Sequence, residues 1–126
     1  EIHVRVACPP IIAPCFYGID MSTVKELFAP KYFTGLSPSM ESLQNMANDL
    51  GADSLLYLPM SSIPRAIEKP ESELCMACIN GTYPTEVGTR LYQISLASTL
   101  VKDERGGNRT YEINPHAPQQ VAGPVA

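Results

Sequence analysis

The sequence predicts a small α/β fold, and three observations predict it. Ile2, Val4 and Val6 alternate with His3, Arg5 and Ala7, the two-residue period of a strand with one apolar face. Leu43, Met46, Ala47 and Leu50 recur at the spacing of a single helix face. Residues 54–58, Ser-Leu-Leu-Tyr-Leu, form a short apolar run that Pro59 closes, the pattern of a second, buried strand.

The remaining elements follow in order. Cys8-Pro9-Pro10 ends the first strand, because two prolines cannot extend a sheet ladder. Residues 11–20 read as a loop punctuated by Pro14 and Gly18. Thr23 and Glu26 have the spacing of a capping box, which predicts a short helix with Leu27 and Phe28 on its apolar side. Residues 31–38 connect it to the helix that Ser39 caps and Gly51 ends. Beyond Pro59, Ser61 or Ser62 caps a further helix, with Pro64 in its first turn and Ile63 and Ile67 facing inward. A polar loop over residues 69–74 then leads to Cys75 and Cys78. Residues 92–101 fit a strand or a helix equally, and 102–126 read as a mobile tail.

Composition narrows the class. The 126 residues suffice for one modest domain. With 9 Lys+Arg against 13 Asp+Glu and no basic cluster, the chain lacks the cationic surface that phosphate backbones require, which excludes nucleic acid. No apolar run approaches the roughly 20 residues of a membrane helix, and no secretory leader pattern is present. The chain opens on Glu1, directly in a strand pattern, and carries 12 prolines, about twice the usual share of roughly 5%. These features lead us to expect a loop-rich piece of a larger protein.

The four cysteines are Cys8, Cys15, Cys75 and Cys78. Two disulfides would need an oxidising compartment, and only the short triplets beginning at Asn80 and Asn108 hint at secretion. A C-x-x-C pair can be half a zinc site, a redox dithiol or part of an iron–sulfur site. The redox use places a thiol at a helix start in a βαβ unit, whereas Cys75 follows a polar loop and Cys78 precedes Asn80-Gly81. Zinc needs two further ligands, for which Cys8, Cys15, His3 and His116 are available. Cys15, between Pro14 and Phe16, is held accessibly in a loop. Cys8, at a strand end, reads as a buried structural thiol. His3 lies on the less apolar strand face and His116 in the tail. The residues alone therefore suggest a three-thiolate site, Cys15, Cys75 and Cys78, that is one ligand short.

No catalytic constellation stands out. Asp49 and Asp53 flank a helix end, Asp103 and Glu104 are a solvated run, and Asp20 before a helix start is an ordinary structural acid. Neither a nucleophile elbow nor a phosphate-cradling glycine loop occurs.

The stretch HVRVACPPIIAPCFYGIDMST, then KEL, LGADSLLYL and CMACINGTYPTE, resembles the C-terminal part of the amidophosphoribosyltransferases. The resemblance covers residues 2–86, and PPI-x-x-PCFYGID and C-x-A-C-x-x-G-x-YP are its specific motifs. It implies an enzyme making 5-phosphoribosylamine from phosphoribosyl pyrophosphate and glutamine, the first step of purine synthesis. It further implies a cytoplasmic homo-oligomer, Mg2+ bound outside this chain, and feedback inhibition by purine nucleotides. Neither the glutaminase domain nor the pyrophosphate-binding loop of that family is present, so the chain alone is expected to be inactive. On this reading residues 1–20 are the last strand and loop of a type I phosphoribosyltransferase (Rossmann-like) domain. Residues 21–86 are a mainly helical extension and 87–126 an unmatched, disordered tail. Many members hold a 4Fe–4S cluster on four cysteines; three of the ligands match Cys15, Cys75 and Cys78, and the fourth lies upstream. The chain departs from the family at residues 31–37, which look like a surface insertion, at Pro64, and after Glu86. The alternative is a small zinc-held interaction module on Cys8, Cys15, Cys75 and Cys78.

Overall fold

The computed structural model describes residues 1–21 and 23–100. It contains strand β1 (His3–Val6), helix α1 (Met40–Asp49), strand β2 (Ser54–Tyr57), and helices α2 (Ser62–Ile67), α3 (Ala77–Asn80) and α4 (Glu86–Leu100). Single 3-10 turns occupy Ala29–Lys31 and Glu71–Glu73. The architecture is α/β, as the sequence predicts. β1 and β2 pair in parallel, with His3 opposite Ser54 and Val6 opposite Tyr57.

α1 forms where its apolar stripe and its cap agree. The Ser39 hydroxyl accepts a hydrogen bond from the Ser42 amide at 3.1 Å, occupying one donor that the first turn would otherwise leave unpaired. Met46 and Ala47 are fully buried and meet Leu55 of β2, together with Ala29 and Ala52. Val4, Val6, Phe28, Tyr32, Phe33 and Tyr57 pack around this cluster. The first core is thus one helix laid on one face of a two-stranded sheet. Leu50, on the same sequence stripe, is 51% exposed because α1 ends there and the chain turns through Gly51 towards β2.

Several elements differ from the sequence expectation. The Thr23–Glu26 capping pair forms, with the Glu26 carboxylate accepting from the Thr23 amide at 3.0 Å and from its hydroxyl at 2.9 Å. Yet it caps no helix: one turn closes, Leu27 donating to the Thr23 carbonyl at 3.2 Å, and the chain then enters the 3-10 turn at Ala29. Pro30 has no N–H to continue the ladder. β2 is buried on one face only, since Leu55 is 3% exposed and Leu56 42%. α2 has no fully buried residue: of its expected inward pair, Ile63 is half-buried and Ile67 is exposed. Residues 34–37 are at the surface, as an insertion would be, but Tyr32 and Phe33 join the first core. The Tyr32 phenol also donates to Asp49 of α1. The undecided stretch at 92–100 is helical, and the tail expected over 87–126 therefore starts inside α4; residues 101–126 lie outside those described.

The burial pattern sets the cost of cavities. Met46→Ala removes a fully buried side chain and should lower unfolding stability by about 2–5 kcal/mol. Leu50→Ala should change it by about 0.5 kcal/mol or less. Chemical denaturation of the two variants measures the contrast; equal losses would contradict the packing described.

Candidate functional site

A second, smaller core lies away from the sheet and is built on the two cysteine-bearing segments. Cys75 and Cys78 are not both in a loop: Cys78 lies in α3, a single turn that its own sequence ends. Gly81 adopts φ +72° and donates to the Ala77 carbonyl at 2.8 Å, a left-handed cap that glycine reaches without steric cost. The Asn80 side chain then accepts from the Thr82 amide at 2.8 Å. This double turn delivers Tyr83 into the core, where it is 7% exposed.

The segment around Cys15 is held against this turn at several points. The Cys78 carbonyl accepts from the amides of Ile12 at 2.8 Å and Ala13 at 3.1 Å. The Tyr83 phenol donates to the Pro14 carbonyl at 2.6 Å, in a buried site. The Tyr17 phenol and the Thr85 hydroxyl share a hydrogen bond of 2.9 Å, and the Tyr17 amide points at the Cys15 sulfur at 3.4 Å. Ala13 and Pro14 are buried, and Ala13, Ala77 and Tyr83 form the cluster on which Ile12, Phe16 and Tyr92 pack. Tyr83 lies between the rings of Phe16 and Tyr92, with centroids 5.2 and 5.1 Å away, within the range of favourable tilted aromatic pairs. α4 approaches closely enough that a Cβ at Gly88 would overlap the Tyr17 hydroxyl.

All four cysteines are free thiols. Cys75 is exposed and Cys8, Cys15 and Cys78 are partly buried, so Cys8 is not the fully buried thiol expected. Burial pushes the Cys78 thiol above its ordinary value, and Cys15, Cys8 and Cys75 push it further, against a backbone hydrogen bond that lowers it. Among the described residues no three His, Cys, Asp or Glu side chains are grouped closely enough to ligate a metal ion. The donors are nonetheless chemically suited to a soft metal or an iron–sulfur cluster, and added positive charge would relieve the thiolate repulsion at Cys78. His3 is engaged elsewhere, its ring nitrogens facing the Ser54 hydroxyl at 2.9 Å and the Glu1 carboxylate at 3.3 Å. His116 lies outside the described residues. The sequence reading missed Tyr83; its place in the YP dipeptide after the cysteine pair was the available signal.

Burial, with Tyr92, Cys78, Cys15 and Tyr17 adding in that order, raises the Tyr83 phenol well above its ordinary value of 10.0. The neutral phenol is therefore the form that the fold stabilises. A raised folded value contributes stability that is complete below about pH 10 and is lost as pH rises through the folded value. Melting temperature should accordingly fall above about pH 10, and by less in Tyr83→Phe, which has no proton to lose; an equal fall in both would contradict the assignment.

No protein-family model matches the chain. It is similar to curated amidophosphoribosyltransferases from several organisms. The Methanocaldococcus jannaschii protein is 42% identical over 87 residues, which is 69% of this chain and 16% of that protein. The Bacillus subtilis protein is 37% identical over 91 residues, 69% of this chain and 17% of that protein. A chloroplastic amidophosphoribosyltransferase of Vigna aconitifolia is 33% identical over 86 residues, 68% of this chain and 16% of that protein. The chain thus spans only about a sixth of the length of the curated relatives it matches. No helix among the described residues is long and apolar enough to cross a membrane. Over some two-thirds of its length the chain is a homologue of the amidophosphoribosyltransferases.

Proposed function

We propose that the chain is part of an amidophosphoribosyltransferase, a glutamine-dependent transferase that forms 5-phosphoribosylamine from phosphoribosyl pyrophosphate and glutamine in purine synthesis. The observation that carries this reading is the 33–42% identity, over about two-thirds of the chain, to proteins of that name. The substrates, Mg2+ and the reacting groups are held by parts of the enzyme beyond these residues. The whole enzyme is a cytoplasmic homo-oligomer inhibited by purine nucleotides. Residues 1–20, with β1, belong to the edge of its phosphoribosyltransferase domain, 21–86 to the extension packed on it, and 87–126 follow that extension. The pairing of residues 12–17 with 78–85 crosses this boundary, which supports a role in joining the two parts.

Within this reading Cys15, Cys75 and Cys78 hold three irons of a 4Fe–4S cluster, and a thiolate from elsewhere in the enzyme holds the fourth. What supports it is the chemistry of the donors: Cys78 in α3, Cys75 three residues before it, and Cys15 in the loop whose Ile12 and Ala13 amides bond to the Cys78 carbonyl. On a four-iron cluster each cysteine binds its own iron, so the sulfurs need not converge on one ion as they must at zinc, about 2.3 Å from each. The group, when bound, supplies a covalent tie between the two segments. The alternative, a zinc-held module on Cys8, Cys15, Cys75 and Cys78, would use all four thiols.

Metal analysis of the full-length protein, purified without oxygen, separates the readings. Cys75→Ser should abolish most bound iron, acid-labile sulfide and visible absorption, whereas Cys8→Ser should leave them intact. Iron unchanged in Cys75→Ser would remove the cluster assignment, and colourless protein with zinc lost in Cys8→Ser would establish the alternative. The chain by itself should release no glutamate from glutamine; measurable glutaminase activity would overturn the placement of the reacting groups outside it.

A further inference from the structure

We propose that Tyr83 is a positioning residue that latches the Cys15 loop onto the Cys78 turn, an inference that rests on the cluster reading only for its purpose. The geometry stands without any bound group. Pro14 immediately precedes Cys15 and, being proline, offers the core only its carbonyl. That carbonyl accepts the 2.6 Å hydrogen bond from the Tyr83 phenol, and Pro14 is fully buried. On the other side of Pro14, the amides of Ile12 and Ala13 both donate to the Cys78 carbonyl. The loop is therefore fixed from two directions, and the Tyr83 bond is the one adjoining Cys15.

The phenol has no competing role that would explain its burial. Its ring packs on Phe16 and Tyr92, which a phenylalanine would do as well. Its hydroxyl spends its donor on a backbone oxygen 69 residues away, the kind of buried polar bond that is costly to leave unmade. The turn that places it is itself specified locally, by the Gly81 cap and the Asn80 side-chain bond to Thr82. Removing the hydroxyl alone would leave the two amide bonds to Cys78, the ring contacts and the Tyr17–Thr85 bond intact and release the Pro14 carbonyl that adjoins Cys15.

Tyr83→Phe in the full-length protein tests this, with Tyr92→Phe as the control for losing a phenol from the same cluster. After anaerobic chelation of any iron, each thiol's reaction with iodoacetamide is followed by peptide mass spectrometry. In Tyr83→Phe, Cys15 should react about tenfold faster, the order expected for one lost buried hydrogen bond, while Cys8 keeps its wild-type rate. Tyr92→Phe should leave both unchanged. Before chelation, Tyr83→Phe should lose iron in air faster than the wild type. Equal Cys15 rates in Tyr83→Phe and the wild type overturn the latch, as does a Cys8 rate that rises in step with Cys15, which would mean general loosening. If the wild-type protein binds no iron but Tyr83→Phe still frees Cys15, the latch stands and the cluster reading fails. Iron in the wild type with Cys15 unmoved by Tyr83→Phe has the opposite meaning.

Discussion

The contact between the Cys15 loop and the Cys78 turn, made by the buried bond from the Tyr83 phenol to the Pro14 carbonyl and by the Cys78 carbonyl, sets the arrangement on which the candidate site depends. The sheet and α1 would form without it, since their core is made from residues 28–57 and β1. The cysteines are different. Cys15 lies in a loop without regular structure, and Cys78 lies in a helix of four residues, too short to be stable unaided. What keeps these two weak elements in place is their contact with each other through Tyr83, the Cys78 carbonyl and the surrounding aromatic rings. The polar bonds supply direction and the rings supply burial, and neither alone would fix the sulfur of Cys15.

This division explains what could be read from the sequence. β1, α1 and β2 were legible because each carries a periodic apolar pattern bounded by a recognisable signal: prolines after β1, Ser39 before α1, Pro59 after β2. The helix expected after Thr23 failed because a local signal, the capping box, was overruled by Pro30 one turn later. Ile67 and Leu56 were expected inside from their chemistry alone, but an apolar residue is often exposed, and the described residues leave Ile67 and the outer face of β2 at Leu56 largely open. α4 escaped a decision since its polar and apolar residues alternate without a clear period. The site was legible as a list of donors, Cys15, Cys75 and Cys78, and not as a place. Its assembly runs through a tyrosine and a proline carbonyl 69 residues apart, a pairing that leaves no spacing rule in the sequence.

The two cores also differ in what they leave uncovered. The first leaves one face of a two-stranded parallel sheet uncovered, although parallel sheets are ordinarily covered on both faces. The second is closed by its own aromatic residues, with Gly88 allowing α4 to lie against Tyr17. The described residues thus combine a two-stranded sheet with one open face and a small joint closed by its own aromatic rings.

The separation of Pro14 from Tyr83 has a consequence in time as well as in space. A ribosome adding roughly 5–20 residues per second releases the Cys15 loop about 3–14 seconds before the turn that receives it. During that interval the thiol of Cys15 has no partner from the later segment, and it meets the oxidants and stray metals of its surroundings unprotected. The vulnerable moment in the life of this joint is therefore its synthesis, and the speed of translation through residues 15–83 sets how long that moment lasts.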